Sequence, residues 1–220
     1  MSFTGVLFDV DGTLLDTVEL IIQSYQHTFR THLGREVPEE RILAGIGYPL
    51  VDHLSLYAAD PGEVATMVET YRAFNMTNHD RLTKVFPGVQ ETVRSLAEQG
   101  LKLGVVSSKI RRPVLRGLQL FDLSRYFQTA VCLEDTERHK PDPAPVLLAL
   151  EQLGVAAEDA LMVGDSPADL EAGRRAGTAT AAVGWSTFSR AQLAYANPDY
   201  VLERMEDLLA LCRKGGGDGA

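Results

Sequence analysis

Positive charge is scarce in this chain of 220 residues: 21 Lys and Arg face 30 Asp and Glu, for a net charge of −9. Such a surface repels a phosphate backbone, so nucleic acid is not an expected partner, although local basic residues can still hold a small anion. Long apolar runs are also missing. Nothing approaches the ~20 residues a membrane helix needs, and no membrane association is expected. The opening "MSFTGVLFDV" lacks a basic segment followed by a signal-type apolar stretch, which points to the cytoplasm. Cysteine is limited to Cys132 and Cys212, far apart and in no metal-ligand spacing, so they read as buried thiols or bystanders. There are no repeats, and low complexity is confined to the Gly-rich end, where residues 214–220 are expected to form a flexible tail.

What is present is an ordinary globular composition, 45% apolar and 23% charged, long enough for one substantial core with a small insert. Short apolar runs recur at Thr4–Val10, Leu101–Ser107, Thr129–Leu133, Ala160–Val163 and Thr178–Val183. Apolar on both faces, they suit strands buried in a parallel sheet. Helical patterns separate them, over Val89–Gln99, Arg112–Leu118, Pro143–Leu153 and Ala168–Ala176. This alternation predicts an α/β fold with a Rossmann-like parallel sheet between helical layers. Residues 16–80 break the rhythm, with no convincing strand and several helical stretches, the first of them capped by Thr17. The expected organisation is therefore a core formed by residues 1–15 and 81–213, with a helical insert at 16–80.

Ligands of such sheets bind at the carboxyl ends of the strands. Asp9, Asp11, Gly12 and Thr13 follow the first strand, and Ser107, Ser108 and Lys109 follow the second. Lys140 follows the third, and Asp165 and Asp169 follow the fourth. Carboxylates crowded at one edge need a cation, and hard oxygen ligands without His or Cys favour Mg²⁺. A carboxylate can attack phosphorus and form an aspartyl phosphate, while a second one transfers protons. Gly12 permits a tight turn with exposed N–H groups, and Lys140 offers a point charge for phosphoryl oxygens. Bland readings stand beside these. Asp16 and Asp169 fit helix caps, and Trp185 fits either packing or the site edge. His27, His32, His53 and His79 read as surface or packing residues. The loop "GIGYPL", with Gly45 and Gly47, fits either a plain helix connection or a contact to the leaving group. Lys109 and Arg111 fit a solvated cluster or cations at the rim of the site.

"DVDGTLLDT", Ser107, Lys140 within "HKPDP", and "GDSPAD" resemble, in order, the four motifs of the haloacid dehalogenase superfamily. The resemblance implies that Asp9 is the nucleophile and a Mg²⁺ ligand. It implies that Asp11 is the general acid/base and binds the metal through its backbone carbonyl. Ser107 and Lys140 would hold the phosphoryl group, and Asp165 would bind the metal directly or through water. Asp169 would support that shell or orient Lys140, and the insert would be a helical cap of the type placed between the first two motifs. Further stretches, among them "DTVELIIQSYQHTF" and "HKPDPAPVLLALEQLGV", resemble the family's small inorganic pyrophosphatases and phosphoglycolate phosphatases. The expected substrate is a small phosphorylated metabolite or pyrophosphate, with phosphoglycolate second; no oligomeric state is implied. Haloacid dehalogenase, sugar-phosphate mutase and non-catalytic binding module are the rival classes. Asp11 and the acidic fourth motif weigh against the first, and the full set of charged residues weighs against the last.

Overall fold

Eight strands and ten helices make up the structure, a computed structural model that describes residues 3–212. The strands are β1 (Gly5–Phe8), β2 (Leu15–Asp16), β3 (Lys84–Val85), β4 (Lys102–Val106), β5 (Thr129–Val131), β6 (Ala160–Gly164), β7 (Ala179–Val183) and β8 (Tyr200–Leu202). The helices are α1 (Val18–Leu33), α2 (Glu39–Leu43), α3 (Leu50–Ser55), α4 (Pro61–Leu82), α5 (Val89–Glu98), α6 (Arg111–Leu120), α7 (Ala144–Leu153), α8 (Pro167–Ala176), α9 (Arg190–Tyr195) and α10 (Asp207–Leu211).

Six strands form one parallel sheet in the order β5-β4-β1-β6-β7-β8. β1 sits at its centre, with Phe8 opposite Val105 on one side and Val163 on the other. Its four residues are all buried, as a strand covered on both faces requires. One face packs Val6, Phe8, Val93 and Leu103 into a single cluster, and the other packs Leu7, Val106, Val146 and Met162. The sheet order reverses between β1 and β6, so the crevice for a ligand opens above the ends of these two central strands.

Helices α1 to α4 build a separate apolar cluster around Phe29, Ile42, Leu54 and Met67. Their entry and exit strands pair as an antiparallel ribbon, Leu15 with Val85 and Asp16 with Lys84. This ribbon and β8 were not expected from the sequence. Two- and three-residue strands are too short to show a period, and Asp16 and Lys84 look like helix-flanking charges. Thr17 does occupy the position before α1, but its side chain makes no capping bond. Its hydroxyl donates instead to Asp11 Oδ1 at 2.6 Å. Asp60, by contrast, caps α4 through the N–H groups of Gly62 and Glu63. No helix among the described residues is long and apolar enough to cross a membrane.

Candidate active site

The chain leaves β1 with the Asp9 N–H donating to Val163 O at 2.9 Å, which holds Asp9 at the sheet's upper edge. A hairpin-like turn follows. The N–H groups of Leu14 and Leu15 both donate to Val10 O, and Gly12 N–H donates to Leu15 O at 2.8 Å. Gly12 takes φ +86°, where an L side chain is strained. A Cβ there would also lie 2.4 Å from Asp165 Oδ2, so glycine is what lets this backbone reach the next strand's carboxylate. Thr13 is fully buried, and its carbonyl accepts from Trp185 Nε1 at 3.3 Å. The sequence suggested Thr13 as a substrate contact, but the turn that presents Gly12 carries the next side chain inward, away from the cavity. Trp185 packs on Phe86 and braces the turn.

Lys140 reaches the centre of the site from the loop after β5. Its Nζ donates to Asp9 Oδ1 at 2.7 Å, to Asp169 Oδ1 at 2.6 Å and to Val106 O at 2.9 Å. All three donor positions of the ammonium are thus used, and the residue is 2% exposed. Asp169 is held from its other side, where Oδ2 accepts from Ser166 N–H and Ser166 Oγ. Ser166 and Asp169 form the capping box of α8, so Asp169 both caps a helix and orients Lys140. The pattern Ser166-x-x-Asp169 is legible in the sequence as a cap; its second contact needs the fold.

Asp9, Asp165 and Asp169 bring oxygens within 4.8 Å of one another, all buried. Against these three carboxylates stands one ammonium, which leaves two negative charges over when all are ionised. Burial pushes the Asp9 carboxyl up to about 7, against the pull of Lys140 and with a further push from Asp169. Burial, then Asp169 and Asp9, likewise raise Asp165 well above the usual range. Burial opposes the charge on Lys140, but Asp169 and Asp9 more than offset it and the net shift is upward. Asp165 Oδ2 is buried with no hydrogen-bond partner among the described residues. An oxygen so placed, in a cluster short of two positive charges, suits a divalent cation with hard ligands.

Asp11 faces the other way. Its carboxylate accepts from Thr17 Oγ1 and pairs with Lys109 Nζ at 3.0 Å, where it is 17% exposed and open to a ligand. Ser107 Oγ accepts from Lys109 N–H at 3.2 Å, and Ser108 Oγ is buried without a partner. Asp9, Asp11, Ser107, Ser108 and Lys109 form the floor of one cavity of about 100 Å³. Its opposite wall comes from α1, α4 and the Gly45–Pro49 loop, including Gly47. That loop is shaped by contact. A Cβ on Gly45 would overlap the His53 ring, and Gly47 takes φ +92° with its Cα side against Ser166. The helical insert and the sheet therefore enclose the cavity together. The guanidinium of Arg111, the other candidate rim cation, is turned to Asp135, while its backbone N–H donates to the Glu134 carboxylate. Among the contributors that escaped the sequence reading are Thr17, Tyr71, Arg72 and Asn75. The last three lie on one long helix, where nothing in their spacing sets the cavity wall apart from a solvated face.

A family model described as haloacid dehalogenase-like hydrolase matches residues 6–183. The chain is 45% identical to pyrophosphatase PpaX of Anoxybacillus flavithermus over 96% of its length and 97% of the relative's. It is 44% identical to pyrophosphatase PpaX of Halalkalibacterium halodurans, over 95% and 96% of the two chains. A haloacid dehalogenase-like family hydrolase of Streptococcus pneumoniae has the same fold, with TM-score 0.84 at 22% identity, covering 96% of this chain and 99% of that one.

Proposed function

The chain belongs to the haloacid dehalogenase-like hydrolases, and from that premise we propose that it is a Mg²⁺-dependent inorganic pyrophosphatase. The observation that carries the phosphohydrolase chemistry is Asp9, held by Lys140 at the floor of a cavity between the sheet edge and the helical insert, with Asp11 partly exposed beside it. Pyrophosphate as the substrate is supported by the two relatives named pyrophosphatase, each covered almost end to end.

In this reading Asp9 attacks phosphorus. The Asp9–phosphorus bond forms as the bond to the leaving oxygen breaks, and Asp11 gives that oxygen a proton. Asp11 then takes a proton from water, which attacks the aspartyl phosphate and frees Asp9. Lys140 opposes protonation of Asp9 and orients it, and Asp169 keeps Lys140 in place. Ser107 and Ser108, which line the cavity, hold the phosphoryl oxygens, whereas the N–H groups of Gly12 and Thr13 are spent inside the turn on Leu15 O and Val10 O. Asp9, Asp165 and the Asp11 carbonyl would hold Mg²⁺, which when bound neutralises charge on the phosphoryl group and the carboxylates. The helices α1 to α4 act as a cap that excludes water and limits substrate size. Two buried, unpaired cysteines fit a cytoplasmic protein.

The substrate is tested by side-by-side kinetics. The expected result is a kcat/KM for Mg-pyrophosphate above that for 2-phosphoglycolate; an advantage of tenfold or more for phosphoglycolate would make the protein a phosphoglycolate phosphatase instead.

The metal is tested through stability. Asp9 has a folded pKa raised from 3.8 to about 7, so the metal-free folded protein binds the extra proton and the unfolded chain does not. Stability from this group is full below about 4 and is lost as pH rises toward 7. A divalent cation removes that loss, so Mg²⁺ should raise the melting temperature more at pH 8 than at pH 5. Equal shifts at both pH values, or none, would count against the acidic cluster as the metal site.

A further inference from the structure

Each cation that the sequence places near the leaving group is already engaged. Lys109 pairs with Asp11, and Arg111 is bound to Asp135. Lys140 spends its three donors below the cavity floor. One cationic side chain of the cavity wall has no such tie. Arg72, near the middle of α4, is half-buried and lines the cavity alongside Tyr71, Asn75 and Met76. Its neighbours on that wall are fixed. Asn75 Nδ2 donates to Ser24 Oγ at 3.2 Å, and Tyr71 is buried and packs edge-on against Tyr25, with ring centroids 4.8 Å apart. Among the described residues the Arg72 guanidinium has neither a hydrogen bond nor an ion pair. Partly burying a guanidinium without a partner is unfavourable, and its planar fork of donors matches two oxygens of a phosphate.

Resting on the phosphohydrolase reading, we propose that Arg72 is the specificity residue of the site, receiving the second, non-transferred phosphate of a diphosphate substrate. The floor holds the phosphoryl group under attack, and the leaving group must then point at the opposite wall. A phosphate there meets Arg72; a neutral leaving group leaves the guanidinium unpaired. The arginine thus favours substrates whose leaving group is itself an anion.

The test compares Arg72→Ala and Arg72→Lys with wild type, at constant Mg²⁺. Binding of imidodiphosphate, a non-hydrolysable diphosphate, and of orthophosphate is measured by calorimetry. Losing one charge-assisted contact predicts a ~10- to 100-fold weaker affinity for imidodiphosphate in Arg72→Ala, at least tenfold beyond any change for orthophosphate, with part of it regained in Arg72→Lys. In turnover, kcat/KM for pyrophosphate should fall at least tenfold further than for p-nitrophenyl phosphate, mainly through KM. Equal losses for the two anions, or no wild-type preference for imidodiphosphate over orthophosphate, overturn the assignment. A wild type that binds imidodiphosphate through Arg72 yet leaves pyrophosphate intact would overturn the substrate reading and keep the arginine's role.

Discussion

Asp9→Asn is expected to bring phosphate release to background while the protein remains folded. The amide keeps the shape of the carboxylate, and its oxygen can still accept from Lys140 Nζ, so the three-way contact at the floor survives. What disappears is the nucleophile: an amide oxygen does not form an acyl phosphate at a useful rate, and no neighbouring carboxylate can substitute. Asp169 has both oxygens committed to Lys140 and Ser166, Asp11 is drawn toward Thr17 and Lys109, and Asp165 is buried outside the cavity lining. Phosphate release from pyrophosphate, with a melting curve on the same sample, checks both halves of the expectation. Activity within tenfold of wild type would remove Asp9 from the nucleophile's position.

Lys140→Met should fail in two ways at once. Methionine fills a similar volume but leaves Asp9, Asp169 and Val106 O buried without their shared donor. Removing one partner of a buried pair typically costs ~3–5 kcal/mol, because the remaining charge stays desolvated. For a chain of this size ~2–4 °C of melting temperature follows each kcal/mol. A drop of roughly 6–20 °C is therefore expected near pH 8. The drop should shrink toward pH 5, where the stranded carboxylates escape the penalty by taking up protons. Turnover should fall by at least ~10²-fold, the size of loss expected when a reacting group is no longer held in its productive position. Melting curves at the two pH values and phosphate-release rates read these effects separately. A variant with unchanged stability at both pH values, or activity within tenfold, would contradict the central place given to Lys140.

The chemistry of this site was more legible in the sequence than its surroundings were. Asp9 and Asp165 stand at strand ends that apolar runs mark clearly, and a parallel sheet brings strand ends together whatever the loops do, while Lys140 arrives on the loop after β5. The glycine in "DVDGT" was legible as a turn, but the reason only glycine fits, the closeness of Asp165 Oδ2, is a distance between distant segments. Thr17 illustrates the opposite case. Local pattern makes it a helix cap, and tertiary contact gives its hydroxyl to Asp11 instead. Arg72 was not legible at all, because a helix of mixed composition such as α4 does not declare in its sequence which of its sides borders a cavity. The ribbon of β2 and β3 escaped for want of length.

That ribbon has a mechanical consequence. The two segments joining the helical unit to the sheet run side by side and are hydrogen-bonded instead of forming two separate tethers. Arg116 of α6 adds a third point nearby, gripping Asp80 and Met76 O near the end of α4. A body attached along one narrow edge keeps essentially one freedom, rotation about that edge, like a page at its binding. Sliding and twisting would break the ribbon's bonds or pull Arg116 from its carboxylate. Were the cavity to open by rotation about that edge, closure would return the same wall to the same floor without a search for register.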